Sequence, residues 1–91
     1  YGVCHADDLF YMWTNVPLNS EDIKVRNLMT DAWANFAKYG DPTPPGSTLT
    51  WLPVDNKEMH QFWNISGAMP QMTSNQEIQD RMNFWDQILL A

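Results

Sequence analysis

Residues 19–42 read NSEDIKVRNLMTDAWANFAKYGDP, a stretch that carries two end signals with an apolar face between them. Asn19 or Ser20 can cap the start of a helix, and Glu21 and Asp22 put negative charge in its first turn, where the helix dipole favours it. Ile23, Leu28, Met29, Ala32, Trp33, Phe36 and Ala37 then recur at helical spacing and make a broad apolar face. Gly40 stands at the C′ position with Pro42 just beyond it, which stops the element. The pattern predicts a helix of roughly 17–20 residues.

Towards the N-terminus, Tyr1 to Cys4 is short and apolar and reads as a strand end, or the loop leaving one. Leu9 to Trp13 is a compact aromatic block, and Asn15, Pro17, Asn19 and Ser20 supply turn residues. Beyond the helix, Asp41 to Thr50 is rich in proline and hydroxyls and predicts an irregular, exposed linker. Trp51-Leu52-Pro53-Val54 is an apolar touch-down point, and Asp55-Asn56-Lys57 reads as a turn. Gln61, Trp63 and Ile65 alternate as one face of a short strand before Gly67. Ser74-Asn75-Gln76-Glu77 fits the S-x-x-E capping box, and Ile78, Met82, Trp85 and Leu89 follow as the stripe of a last helix. No segment repeats, and none is of low complexity.

Ninety-one residues allow one small domain at most, and such a chain buries only roughly 60–65% of its unfolded surface. Five tryptophans, four phenylalanines, three tyrosines and six methionines are more large side chains than so small a body easily hides. Residues 1–91 are therefore expected to be part of a larger body, with no complete domain of their own. The net charge is −6 and the five basic residues stand singly, which argues against a basic patch for nucleic acid or anionic membrane. No apolar run approaches the ~20 residues of a membrane span. Cys4 is the single cysteine, so no disulfide forms within these residues, and its apolar neighbour Val3 suggests a small buried side chain. Asn64-Ile65-Ser66 fits the N-glycosylation acceptor pattern, making Asn64 a candidate glycosylation site and the secretory pathway the expected compartment.

His5 is the residue most open to a chemical role. With Asp7 and Asp8 it offers two or three possible metal ligands, but the rest of a set is not evident nearby, and His60 has no companion. No metal and no cofactor is expected. As a catalytic base, His5 has no nucleophile elbow to serve, because no Gly-x-Ser-x-Gly occurs. Ser20, Ser47, Ser66 and Ser74 fall at cap, linker and strand-end positions. These residues cannot perform acyl transfer alone. A core histidine with a satisfied ring is the plain alternative for His5.

The string Gly2-Val3-Cys4-His5-Ala6-Asp7-Asp8-Leu9-Phe10-Tyr11 closely resembles the stretch around the catalytic histidine of type-B carboxylesterases, the cholinesterase-like α/β-hydrolases, and looks particularly like their insect members. Residues 29–44 resemble the family's W-x-N-F-A-x-x-G-x-P helix end. Trp51-Leu52-Pro53-Val54 stands at its Trp-Pro touch-down, and Arg81-Met82-Asn83-Phe84-Trp85 resembles its terminal R-x-x-F-W helix. The likeness covers about residues 1–90.

The resemblance implies the α/β class and the C-terminal segment of an α/β-hydrolase fold: catalytic-histidine loop, long helix, short strand and final helix. It implies a carboxylic ester hydrolase working through a Ser-(Glu/Asp)-His triad and an acyl-enzyme, with His5 as the triad histidine. The serine, the acid and the oxyanion donors would lie upstream, so the implied partners are the N-terminal remainder of the enzyme and a small-molecule ester. Asp7 and Asp8 are too close to His5 in sequence to be expected as the triad acid. Asp8 stands where many relatives have glutamate and is expected to order the loop by a hydrogen bond. Ala6 stands where many have glycine. Trp33, Phe36 and Trp85 are expected as helix-face core residues. Two other readings remain: a non-catalytic cholinesterase-like adhesion protein, and an independent small helical protein that hides its aromatics by oligomerising.

Overall fold

The computed structural model describes residues 3–13, 16–54 and 61–91. Its elements are α1 (Asp7–Met12), α2 (Ser20–Tyr39), β1 (Gln61–Asn64), β2 (Gln71–Ser74) and α3 (Gln76–Leu89).

The long helix forms as its sequence predicts. Asn19 caps α2: its Oδ1 accepts from the Asp22 backbone N–H at 2.9 Å, and Asp22 Oδ2 accepts from the Asn19 N–H at 3.4 Å. At the other end Gly40 takes the left-handed conformation, φ 70°, and donates to the Phe36 carbonyl at 2.8 Å. A residue without Cβ reaches that φ at no steric cost, so glycine ends the helix cleanly. The helix runs 20 residues.

The aromatic block has become a helix. Trp13 closes α1 by donating its backbone N–H to the Leu9 carbonyl at 3.0 Å, and α1 packs on α2. Two side-chain contacts fasten the pair. Tyr11 Oη donates to Asp22 Oδ1 at 3.4 Å, and Thr30 Oγ1 approaches Met12 Sδ at 4.0 Å. Val3 and Cys4 carry no strand pairing, which fits the loop reading of this stretch; Tyr1 and Gly2 lie outside the described residues.

The irregular linker is held by its own hydroxyls. Thr43 Oγ1 accepts from the Trp51 N–H at 2.8 Å, Asp41 Oδ1 accepts from the Thr43 N–H at 2.9 Å, and Ser47 Oγ donates to the Pro44 carbonyl at 2.7 Å. These bonds deliver Trp51 to the middle of the structure. Its ring lies 6.0 Å from Trp33 of α2 and stacks at 4.7 Å on Trp63 of β1. Among the described residues Met29, Ala32, Trp63 and Pro70 are buried, and Ala32 and Trp63 put the small core at this junction.

β1 and β2 form an antiparallel pair with Gln61 opposite Ser74, Phe62 opposite Thr73, Trp63 opposite Met72 and Asn64 opposite Gln71. β2 was not expected, and it corrects the start of the last helix. Ser74 is the final paired residue of β2, so it cannot cap; Asn75 does, accepting from the Ile78 N–H at 3.3 Å. The turn read at Asp55-Asn56-Lys57 and the residue His60 lie outside the described residues.

α3 packs against no other described helix or strand. Within the helix Arg81 and Glu77 form an ion pair, and side-chain bonds run from Gln76 to Asp80 at 2.8 Å and from Gln79 to Asn83 at 2.9 Å. Phe84 and Trp85 meet edge to face at 5.4 Å. The expectation that Trp33, Phe36 and Trp85 are core residues fails within this chain, because they are 41%, 61% and 54% exposed.

Two global measures agree. The radius of gyration is 15.7 Å, against about 12 Å for a compact domain of this length. The accessible surface is 7583 Å², against about 5,500 Å² for a folded monomer of this mass.

Candidate active site

His5 lies in a tight turn at the entry to α1. The Asp7 N–H donates to the Cys4 carbonyl at 3.3 Å, which closes a four-residue turn with His5 and Ala6 at its centre. Ala6 has φ 71° and ψ 13°, the conformation that the second central residue of a type II turn requires. It is the one non-glycine residue with positive φ among those described. A Cβ in this region costs roughly 1–2 kcal/mol. This is the physical reason glycine suits the position.

A second bond spans the same turn. The Cys4 N–H donates to Asp7 Oδ2 at 2.8 Å. A hydrogen bond to a charged acceptor contributes roughly 1.5–3 kcal/mol net, less where exposed as here, and so offsets much of the strain at Ala6. The loop-ordering role expected of Asp8 thus falls to Asp7. The reason is geometric: Asp7 is three residues from Cys4, while Asp8 already lies one residue further along α1, exposed.

The turn projects His5 outward. His5 is exposed within these 91 residues. Cys4 is exposed with a free thiol, contrary to the expected buried side chain, because Val3 beside it is itself 99% exposed and offers no cover. No other described residue bonds the His5 ring, and no cluster of three metal-binding side chains occurs among the described residues. Ser47 is committed to Pro44, and Ser20, Ser66 and Ser74 are exposed at the helix start, the hairpin connection and the strand end. Asn64 and Ser66 of the glycosylation pattern are both exposed.

Behind the turn, Tyr11 ties α1 to the capping carboxylate of α2. Its phenol is held above its usual range, first by burial, then by the charge of Asp22, the hydrogen bond to it, and the charge of Asp7. The site is therefore a histidine on a doubly closed turn, backed by a short helix fixed to a long one. Sequence reasoning missed the role of Asp7; a carboxylate three residues after a backbone N–H it can reach is the signal that would have found it.

A separate apolar groove of about 590 Å³ runs between the C-terminal half of α2 and residues 50–54, with Trp33, Phe36, Trp51 and Leu52 on its walls. His5 does not line it.

Residues 1–85 match the carboxylesterase family. The chain is 29% identical over 102 residues to juvenile hormone esterase of Tribolium castaneum, with 93% of the chain and 17% of that protein covered. It is 32% identical over 90 residues to liver carboxylesterase 1F of Rattus norvegicus, with 93% of the chain and 15% of that protein covered. Bile salt-activated lipase of Rattus norvegicus is 28% identical over 92 residues, with 92% and 15% covered. The chain thus spans about one sixth of the length of these curated relatives. Insect and mammalian relatives match at similar identity, so an insect branch is not singled out. No solved structure matches. The chain belongs to the carboxylesterase family, whose α/β-hydrolase fold its helices and antiparallel strand pair are consistent with.

Proposed function

We propose that this chain supplies the general base, His5, of a serine carboxylesterase whose nucleophile and acid stand on sequence outside these 91 residues. One observation carries the reading: the family match includes a histidine held outward on a closed turn, free of any bond to a described residue. An imidazole so presented is available to a serine hydroxyl approaching from a companion surface.

His5 takes the serine proton as the hydroxyl attacks the ester carbonyl, then returns a proton to the departing alkoxide, which leaves as the alcohol. In the second half it takes a proton from water as the water oxygen attacks the acyl carbonyl, then returns that proton to the serine oxygen as the carboxylic acid leaves. An upstream carboxylate holds the ring tautomer. General-base assistance of this kind contributes about 10²–10⁴ in rate.

The remainder of the enzyme is the partner in this reading, covering the unpartnered faces of α2 and α3. The surplus of exposed surface and the solitary α3 support that part. Glycosylation of Asn64, and with it passage through the secretory pathway, belongs to the same reading and is supported by the exposure of Asn64 and Ser66. No described helix is long and apolar enough to cross a membrane.

Intact mass under denaturing conditions, after treatment with a fluorophosphonate, tests the proposal. A second, larger species carrying the adduct is expected. A companion without the adduct would favour the non-catalytic adhesion relative, and the 10.6 kDa chain alone and unmodified would contradict the proposal.

A further inference from the structure

We infer that Asp7 is a positioning residue for His5, acting as a clamp that fixes the direction of the imidazole without touching the reacting atoms. The inference rests on the reading of His5 as the base and adds to it how the base is aimed.

Asp7 holds the turn from both sides. Its backbone N–H donates to the Cys4 carbonyl at 3.3 Å, and its Oδ2 accepts from the Cys4 N–H at 2.8 Å. The two bonds join the same pair of residues, so everything between them is fixed: His5 and Ala6. The side-chain bond is the shorter one, and it holds the turn closed although Ala6 must keep a left-handed φ of 71°. With no clamp, an alanine there relaxes towards negative φ, and the His5 Cα–Cβ direction swings with it.

Asp7 is also the first residue of α1, and α1 is anchored on α2 through Tyr11 and Asp22. The clamp therefore references His5 to the long helix. A free loop would let the ring wander by an ångström or more, and misplacement of about 1 Å can cost roughly 10²-fold in rate. Asp7 accepts only from Cys4 among the described residues, and no hydrogen bond joins it to the His5 ring. Its carboxylate thus acts through the backbone.

The test is steady-state ester turnover by the assembled enzyme. Asp7→Ala is expected to lower kcat about 10- to 100-fold with KM changed by less than about threefold, because substrate binding is untouched. Asp7→Asn keeps an acceptor oxygen for the Cys4 N–H and recovers most of the loss. Ala6→Gly placed in the Asp7→Ala background also recovers part of it, because glycine holds positive φ unaided. Wild-type kcat in Asp7→Ala would overturn the inference. So would an Asp7→Asn variant as slow as Asp7→Ala while equally well folded, which would assign the role to charge. Failure of the underlying reading is separate: it shows as normal turnover by His5→Ala, whatever Asp7 does.

Discussion

Trp51 stacks on Trp63 with ring centroids 4.7 Å apart and planes inclined by 18°, and this pair joins the hairpin to the rest of the chain. Trp51 in turn leans on Trp33 of α2, so three indoles in a row do what a sheet or a helix pair does elsewhere. Trp63 is only 8% exposed, yet its indole N–H is buried without a hydrogen-bond partner among the described residues. Buried donors left unpaired cost about 1–3 kcal/mol.

Those two facts predict unequal losses for two substitutions. Trp63→Ala should lose about 3–5 kcal/mol of stability, as large aromatics truncated in cores do. Trp63→Phe should lose much less, because it keeps a stacking ring and removes the unpaired donor. Equilibrium denaturation of both variants in the assembled enzyme checks this. Equal losses would show that the N–H is satisfied after all.

Ala6→Gly should strengthen the turn that carries His5. Relief of the left-handed strain outweighs the extra freedom of glycine by about 0.5–1 kcal/mol. Local opening should then become about two- to fivefold rarer, read as slower amide exchange at Asp7 and Leu9, whose N–H groups bond Cys4 and Ala6. Faster exchange would contradict the assigned backbone conformation.

The Tyr11–Asp22 bond gives a pH signature. Burial and the Asp22 carboxylate raise the Tyr11 phenol above 10.0, so the folded state favours the protonated form. Its stabilising contribution is complete below the unfolded value and disappears as pH rises through the folded one. Ultraviolet titration, differenced against Tyr11→Phe, should place Tyr11 above an ordinary tyrosine. Asp22→Asn should bring it down; no change would remove Asp22 as a cause.

Chain 1–91 produced alone should bind a hydrophobic dye and melt without a sharp transition. Phe36, Trp85 and Leu90 are 61%, 54% and 81% exposed, and α3 has no packing partner among the described elements. A steep cooperative melt would contradict the proposal that a companion covers these faces.

How much of this was legible beforehand differs by element. The long helix announced itself because Asn19, Gly40 and Pro42 act locally, through bonds within a few residues. α1 did not: Ala6 has no side chain to cap with, and six residues are too few to show a period. β2 was hidden for a different cause. Gln71-Met72-Thr73-Ser74 carries a single apolar residue and becomes a strand by pairing across a hairpin with Gln61–Asn64, seven to thirteen positions earlier. That pairing also took Ser74 away from its apparent capping role and passed the cap to Asn75, whose side chain offers the same acceptor one residue later. At the candidate site, His5 was singled out by resemblance to a family motif. The clamp from Asp7 became visible only with the 2.8 Å bond to Cys4.

Ester turnover by His5→Ala in the assembled enzyme, beside wild type and with folded protein quantified, decides whether His5 is the base. A base at His5 requires a loss of at least about 10²-fold in kcat with little loss of folded protein. Turnover within a few-fold of wild type would show that the base lies elsewhere.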